Sequence, residues 1–277
     1  MKNSLIILLF LFCSSLSFAQ NKVRIKGSKK VITALKDLNS FKKIEVGSNL
    51  EIFLEKGEKP ALKVDADENL HPIITIIIKD STLYLNTTKD PYRYKKLALY
   101  VTYTNDLNLI IAKDQSIINA IQEIQKTSIT LKAYNDSQLF INANTSDFVL
   151  EANDKTKTEL NLKSEKGKVI LSQNASLKTL VRTEDFACDM YQKTEARIEG
   201  NSTKSSIRLD NNARLTGSKF TIKDLELIAE SNSNCSINVE SSITISANGK
   251  SEIQLLGKPK IEINNFSDEA KLLKKTK

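Results

Sequence analysis

The chain predicts an all-β protein, a right-handed parallel β-helix or β-solenoid with a less regular N-terminal β region. Three observations carry this. A small residue, any residue, then Ile or Leu recurs between Lys113 and Asn264, at Ser116/Ile118, Ser137/Leu139, Thr158/Leu160, Ala175/Leu177, Ala196/Ile198, Ala213/Leu215, Cys235/Ile237 and Ser251/Ile253. Turn-forming residues sit just ahead of most of them, as in Asn135-Asp136, Asn153-Asp154, Asn211-Asn212 and Asn248-Gly249. A second alternating strand fills each unit, with pairs such as Phe148/Leu150, Val169/Leu171, Ile207/Leu209 and Ile243/Ile245. A period near 20 residues of strand and turn is a stacking signature, because one unit buries its apolar face only against its neighbours.

Residues 1–19 read as a secretory signal: Lys2 supplies the basic start, Leu5–Phe12 the apolar run, and Ser17-Phe18-Ala19 a small-x-small cleavage site. Eight apolar residues are too few to cross a bilayer, which takes about 20. Phe12 ahead of Cys13 argues against a lipidated cysteine. Cleavage after Ala19 removes Lys2 and takes the net charge from +8 to 8 − 1 = +7. The expected location is exported: periplasmic, outer-membrane-associated or extracellular, with no transmembrane segment.

Residues 20–112 keep a strand pattern with looser spacing. Apolar alternation or short runs appear at Val23–Ile25, Phe41–Val46, Leu50–Leu54, Ala61–Val64, Ile73–Ile78, Leu83–Leu85, Leu97–Val101 and Leu107–Ile111. The β-branched run Val31-Ile32-Thr33 favours strand over helix in Lys30–Leu38. No Pro/Gly/Ser-rich linker separates this region from the repeats at 113–264, so one continuous β-structure is expected. The last stretch, 265–277, reads as a basic, solvated tail. Asn in the corners suits the left-handed backbone that tight corners demand.

In the repeat register, Cys235 takes the small-residue position of one unit and Cys188 lies in the second strand two units earlier. Two stacking steps are about 9.6 Å, beyond the roughly 7 Å between Cα atoms that a disulfide spans. Both thiols are expected to be buried packing.

Two stretches resemble a known family. Phe41-Lys42-Lys43-Ile44-Glu45-Val46-Gly47, followed by Leu50–Leu54, Gly57, Leu62–Val64, Leu70 and Leu83–Leu85, forms the first. Gly249-Lys250-Ser251-Glu252-Ile253, with Gly257-Lys258-Pro259, forms the second. Together they resemble the auto-transporter adhesin head (GIN) domain family of exported Bacteroidetes-type proteins, over about residues 22–264. The resemblance implies an adhesin-like β-helix with no catalytic residues to transfer. Corners here use Asn, Lys and Thr where the family favours Gly and Ser.

Catalytic and metal-binding sets are sparse. His71, in Leu70-His71-Pro72, is the sole histidine, and Gly-x-Ser-x-Gly is absent. One histidine and two isolated cysteines do not make a zinc site. Asp65-Ala66-Asp67-Glu68 lacks the remainder of a calcium loop and reads as a solvated turn. Asp136 and Asp154 in neighbouring corners, with Asp185 and Glu195, are the carboxylates that a polysaccharide-active β-helix would use; turn formation is the simpler reading. Scattered lysines without a recognition motif argue against nucleic acid. The one exposed cluster suited to a ligand is Tyr92, Arg93, Tyr94, Lys95 and Lys96 after Pro91, where aromatic and cationic groups share a loop. The expected function is a non-enzymatic adhesin or scaffold without cofactors or metal. Its partners would be an envelope or host glycan or another surface protein. A binding protein for an anionic envelope glycan or lipid is the second reading, and a polysaccharide-active enzyme the third.

Overall fold

The computed structural model describes residues 22–275; the expected signal peptide and Cys13 lie outside them. The first strands are β1 (Arg24–Lys26), β2 (Val31–Asp37), β3 (Lys43–Val46), β4 (Glu51–Lys56) and β5 (Ala61–Asp67). A 3₁₀ helix, Glu68–Ile73, leads into β6 (Ile74–Lys79), β7 (Thr82–Thr87), β8 (Asp90–Tyr92), β9 (Leu97–Tyr103) and β10 (Leu109–Ala112). Seven long strands follow: β11 (Ile117–Ala133), β12 (Gln138–Ala152), β13 (Lys157–Leu171), β14 (Ser176–Met190), β15 (Glu195–Leu209), β16 (Arg214–Ala229) and β17 (Asn234–Ala247). The stack closes with β18 (Glu252–Gly257), β19 (Lys260–Phe266) and β20 (Lys271–Lys274).

Each long strand lies parallel on the next, in unbroken register from β12 to β15 and with local bulges elsewhere, so one unit makes one coil. Two inward columns define the two faces. On one face Leu83, Ile44, Ile110, Leu131, Leu150, Val169, Cys188, Ile207, Leu227, Ile245 and Ile263 stack in that order. On the other the order is Leu99, Ile52, Ile118, Leu139, Thr158, Leu177, Ala196, Leu215, Cys235, Ile253 and Leu272. The parallel stack therefore begins well before residue 113 and runs past residue 264, where β20 takes up part of the stretch read as a solvated tail.

The N-terminal rungs are out of chain order: β7 and β9 are outermost, β3 and β4 come next, and β10 and the start of β11 follow. Antiparallel strands end the stack here, β6 on β7 and β5 on β9, with β2 antiparallel on β5. The 3₁₀ helix connects β5 on one face to β6 on the other, burying Leu70 and Ile73 under the end of the core. His71 belongs to this helix; its Nε2 lies 3.2 Å from the Ile32 carbonyl and 3.3 Å from that of Ala66.

The small-residue series differs from the sequence reading. The true column is Ser116, Ser137, Thr156, Ala175, Thr194, Ala213, Ser233 and Ser251, each accepting a backbone bond from the next rung. All are buried. Its steps of 21, 19, 19, 19, 19, 20 and 18 replace the uneven series expected. The misreading has one cause: residues two apart face the same way in a strand, and both inward positions hold small residues at Thr156/Thr158, Thr194/Ala196 and Ser233/Cys235. The first step is long because β11 bulges between Ala120 and Ile124. Cys235 consequently sits in the Leu215/Ile253 column, not the small one, and three rungs from Cys188 rather than two. Three steps of about 4.8 Å keep the thiols apart, and burial pushes both pKa values to about 12.

Corners between coils are turns with two consecutive left-handed residues, among them Asn135/Asp136, Asp154/Lys155, Gln173/Asn174, Gln192/Lys193 and Asn211/Asn212. Positive φ at both central positions is the type I′ geometry. The expected Asn, Asp and Lys are found there and Gln adopts the geometry as well, whereas no described Thr does. Rung-to-rung backbone bonds hold them, such as Lys155 N–H to the Gln173 carbonyl at 2.9 Å.

Two threonines occupy otherwise apolar inward columns: Thr158 between Leu139 and Leu177, and Thr179 between Leu160 and Ile198. Both hydroxyls are buried without a partner. Val has the same shape without the stranded hydroxyl, so Thr158→Val and Thr179→Val are each expected to raise unfolding free energy by about 1 kcal/mol. Urea denaturation checks this; a loss of stability in both variants contradicts the register.

Candidate binding surfaces

The Pro91–Lys96 loop is built by long-range pairing that its own sequence does not reveal. β1 runs parallel to β8, placing Arg24 opposite Asp90 and Lys26 opposite Tyr92. The Arg24 guanidinium lies 4.4 Å from the Tyr92 ring centroid, and its Nε is 3.6 Å from the Asp90 carboxylate. One face of Tyr92 is thus already covered. Arg93 turns the chain with φ 49°.

Asp67 fixes the loop. Its buried carboxylate accepts hydrogen bonds from the backbone N–H groups of Lys29 (2.7 Å), Lys95 (3.0 and 3.2 Å) and Lys96 (3.0 Å), while its own N–H donates to the Lys96 carbonyl. Burial alone would raise its pKa; the three amides and the Lys29 charge outweigh that and hold it below the ordinary aspartate value. Gly27 allows the close approach, since a Cβ there would meet Asp67 Oδ2 at 2.4 Å and Tyr94 Cα at 2.5 Å. The Asp65–Glu68 run read as a solvated turn is therefore the loop's anchor. Asp65 is also engaged, accepting from Thr33 Oγ1 at 2.7 Å and from Lys96 Nζ at 3.2 Å.

Of the five residues expected to form a site, Lys96 is spent on Asp65 and Tyr92 lies under Arg24. Arg93, Tyr94 and Lys95 remain exposed, and neither cation forms an ion pair among the described residues. The pairing of β1 with β8 adds Arg24, Lys26 and, through the Asp67 cage, Lys29 to the same end of the molecule. Partial burial, helped by the Glu51 and Asp90 charges, keeps the Tyr94 phenol pKa above its usual value, leaving it a donor at neutral pH.

The expected corner carboxylates do not converge. Asp136 and Asp154 sit in the stacked corners of adjacent coils, joined through the backbone by the Asp136 N–H to Asp154 carbonyl bond at 3.0 Å. Asp185 stands inside β14 in an outward column that alternates in sign: Asp147, Lys166, Asp185, Lys204, Asp224. Glu195 opens β15 beside Ser176 and Arg214. Among the described residues no group of three or more His, Cys, Asp or Glu side chains is arranged to hold a metal. No described helix is long and apolar enough to cross a membrane.

A second surface runs along the Leu99 face. A groove of about 630 Å³ is lined by Ile121, Phe140, Asn142, Asn161, Lys178 and Leu180, among others. Its polar groups satisfy one another: Asn161 Nδ2 donates to Asn142 Oδ1 at 2.6 Å, and Lys178 reaches Glu159 at 3.5 Å. It was not singled out in the sequence, although Ile121, Phe140 and Leu180 all fall on the outward side of the alternation set by Ala120, Leu139 and Thr179.

The fold and these surfaces define a parallel β-solenoid with an antiparallel, helix-plugged N-terminal end. The family profile described as "Putative auto-transporter adhesin, head GIN domain" matches residues 40–178 and again 149–259, and the chain belongs to that family. Among solved structures, a protein described as a "putative adhesin" from Parabacteroides distasonis ATCC 8503 superposes with a TM-score of 0.70 at 14% identity, covering 91% of this chain and 100% of that one. A second, described in the same words and from Parabacteroides merdae ATCC 43184, gives 0.64 at 15% identity, covering 91% and 99%. A protein described as lipid-binding, also from P. distasonis, gives 0.60 at 15% identity over the same shares. At these identities the likeness is one of fold. No similar sequence was found among curated proteins.

Proposed function

We propose that this chain is a non-catalytic, exported, adhesin-like binding module of a bacterial envelope, and that it contacts its partner through Arg93, Tyr94 and Lys95 on the Asp67-clamped loop. The supporting observation is the clamp. Four hydrogen bonds to one buried carboxylate hold the loop's backbone while its cationic and aromatic side chains stay free. A rigid backbone with free Arg, Tyr and Lys loses little entropy on binding and suits a sugar ring carrying an acidic group. Family membership and the adhesin descriptions of the structural neighbours are consistent with this role.

The second reading, an anionic envelope glycan or lipid as the ligand, is favoured by Arg24, Lys26 and Lys29 gathering at the same end. Acidic polysaccharides immobilised on a sensor test both. The wild type is expected to bind with an affinity that falls as salt rises, and Arg93→Ala/Lys95→Ala to weaken it at least about tenfold, or roughly 1.4 kcal/mol. Binding that the double variant leaves intact removes the loop from the site, and polysaccharide cleavage refutes a non-catalytic role.

A further inference from the structure

The two ends of the solenoid are finished differently. At the N-terminal end the 3₁₀ helix lies over the core, the inward residues Ile74, Ile76 and Ile78 of β6 are partly buried, and β2 sets an exposed Lys36 on the Leu62 side of its sheet, two positions along from Ala34 and four from Ile32, which is 38% exposed. A lysine on an edge strand is a known guard against strand addition. At the other end nothing among the described residues covers the last coil. Ile261 and Ile263 are 44% and 52% exposed, although Ile243 and Ile245, one rung below in the same columns, are 1% and 0%. Phe266 ends the column below which Ala247 is buried and is itself 40% exposed. β19 pairs only with β17, so its outer edge of N–H and C=O groups is free. β20 is better guarded, since Lys274 falls on the inward column above Leu255 and turns its ammonium to the Gly257 carbonyl.

We propose that this open end is a self-association surface: two copies meet end to end about a two-fold axis, with β19 pairing antiparallel to the partner copy's β19. Inverting one copy onto the other necessarily sets identical edge strands antiparallel, which is how the fold already finishes its opposite end with β6 on β7. The contact covers two open cores at once. Charge fixes the register: β19 carries Lys260 and Glu262 on its outward side, above Ser242 and Thr244. Pairing centred on Ile261 sets each lysine opposite the other copy's glutamate, twice over.

Sedimentation equilibrium of residues 20–277 across a wide concentration range tests this. A dimer that goes no further is the expected result. Ile261→Lys and Ile263→Lys should each give monomer with an unchanged far-UV spectrum. Glu262→Lys should raise the dimer dissociation constant about tenfold, because both cross-strand pairs turn repulsive. Lys260→Glu added to Glu262→Lys should restore it, a rescue that generally weakened folding would not produce. The outer residue Ile77 of β6 serves as the control, and Ile77→Lys should leave the dimer intact. A monomer at every concentration overturns the proposal. So does a mass that keeps growing with concentration and collapses on Ile77→Lys, since that reports an open head-to-tail contact between β19 and β6.

Discussion

Asp67→Ala is expected to lower unfolding free energy by about 3–5 kcal/mol and to release the Arg93–Lys95 loop. The carboxylate is buried and accepts from the backbone amides of Lys29, Lys95 and Lys96, which come from two segments meeting at one point. Removing it strands three donors in a closed site, each worth roughly 1–3 kcal/mol when left unpaired, with some recovered by entering water. Asp67→Asn is nearly as damaging, because its amide group turns a donor toward donors. The pH dependence has a definite sign. The folded-state pKa lies below the ordinary 3.8, so the folded chain holds this proton less tightly than the unfolded one. The cage's contribution is therefore complete above that value and is lost as pH falls through the lowered folded pKa. The stability difference between wild type and Asp67→Asn should be constant at neutral pH and shrink only in acid. A difference that grows in acid contradicts an ionised Asp67.

Gly200→Ala should destabilise by roughly 4 kcal/mol, through backbone strain together with a clash. Gly200 adopts φ +108°, and a Cβ there would stand 2.0 Å from the Val181 carbonyl oxygen in the adjoining rung. That oxygen belongs to the ladder and cannot move without opening it. Gly167→Ala is the control: its Cβ would meet only the side chains of Leu162, Phe186 and Ser164, at 3.1–3.4 Å, with an ordinary backbone. About 1 kcal/mol or less is expected there. Gly257→Ala repeats the Gly200 geometry, with the Val239 carbonyl oxygen at 1.9 Å, but in the penultimate coil, where fraying should reduce the loss. Equal effects of Gly200→Ala and Gly167→Ala in urea melts would refute the argument.

The solenoid was legible in the sequence because its cause is periodic: inward alternation recurs in every coil, and Asn in most of the corners. The register was less so. Alternation fixes which side a residue faces but not which of two equivalent inward positions opens a unit, hence the choice of Thr158, Ala196 and Cys235, each two residues beyond the true openers Thr156, Thr194 and Ser233. The N-terminal end resisted for another reason. Its strands pair antiparallel across segments far apart in the chain, and the rungs are not built in chain order. Within the candidate site the exposed loop could be found by composition, whereas its anchor could not. Asp67 looked like a solvated acid because its partners are backbone amides, which leave no mark in the sequence. Arg24 joins Tyr92 only because β1 finds β8, 66 residues onward in the paired register.

The loop and the open end lie at opposite termini of one stack, and that makes the coil count a unit of length. The column from Leu83 to Ile263 contains ten steps, or about 48 Å at 4.8 Å per step. Excising one 19-residue coil, for instance residues 157–175, would return every side chain to its own column and shorten the stand-off by a single step. Excising 18 would reverse inside and outside for everything beyond the cut. Reach in this molecule is therefore quantised: duplication or loss of a whole coil is a mutation that changes how far the loop is held from whatever the other end rests on, and leaves both ends as they were.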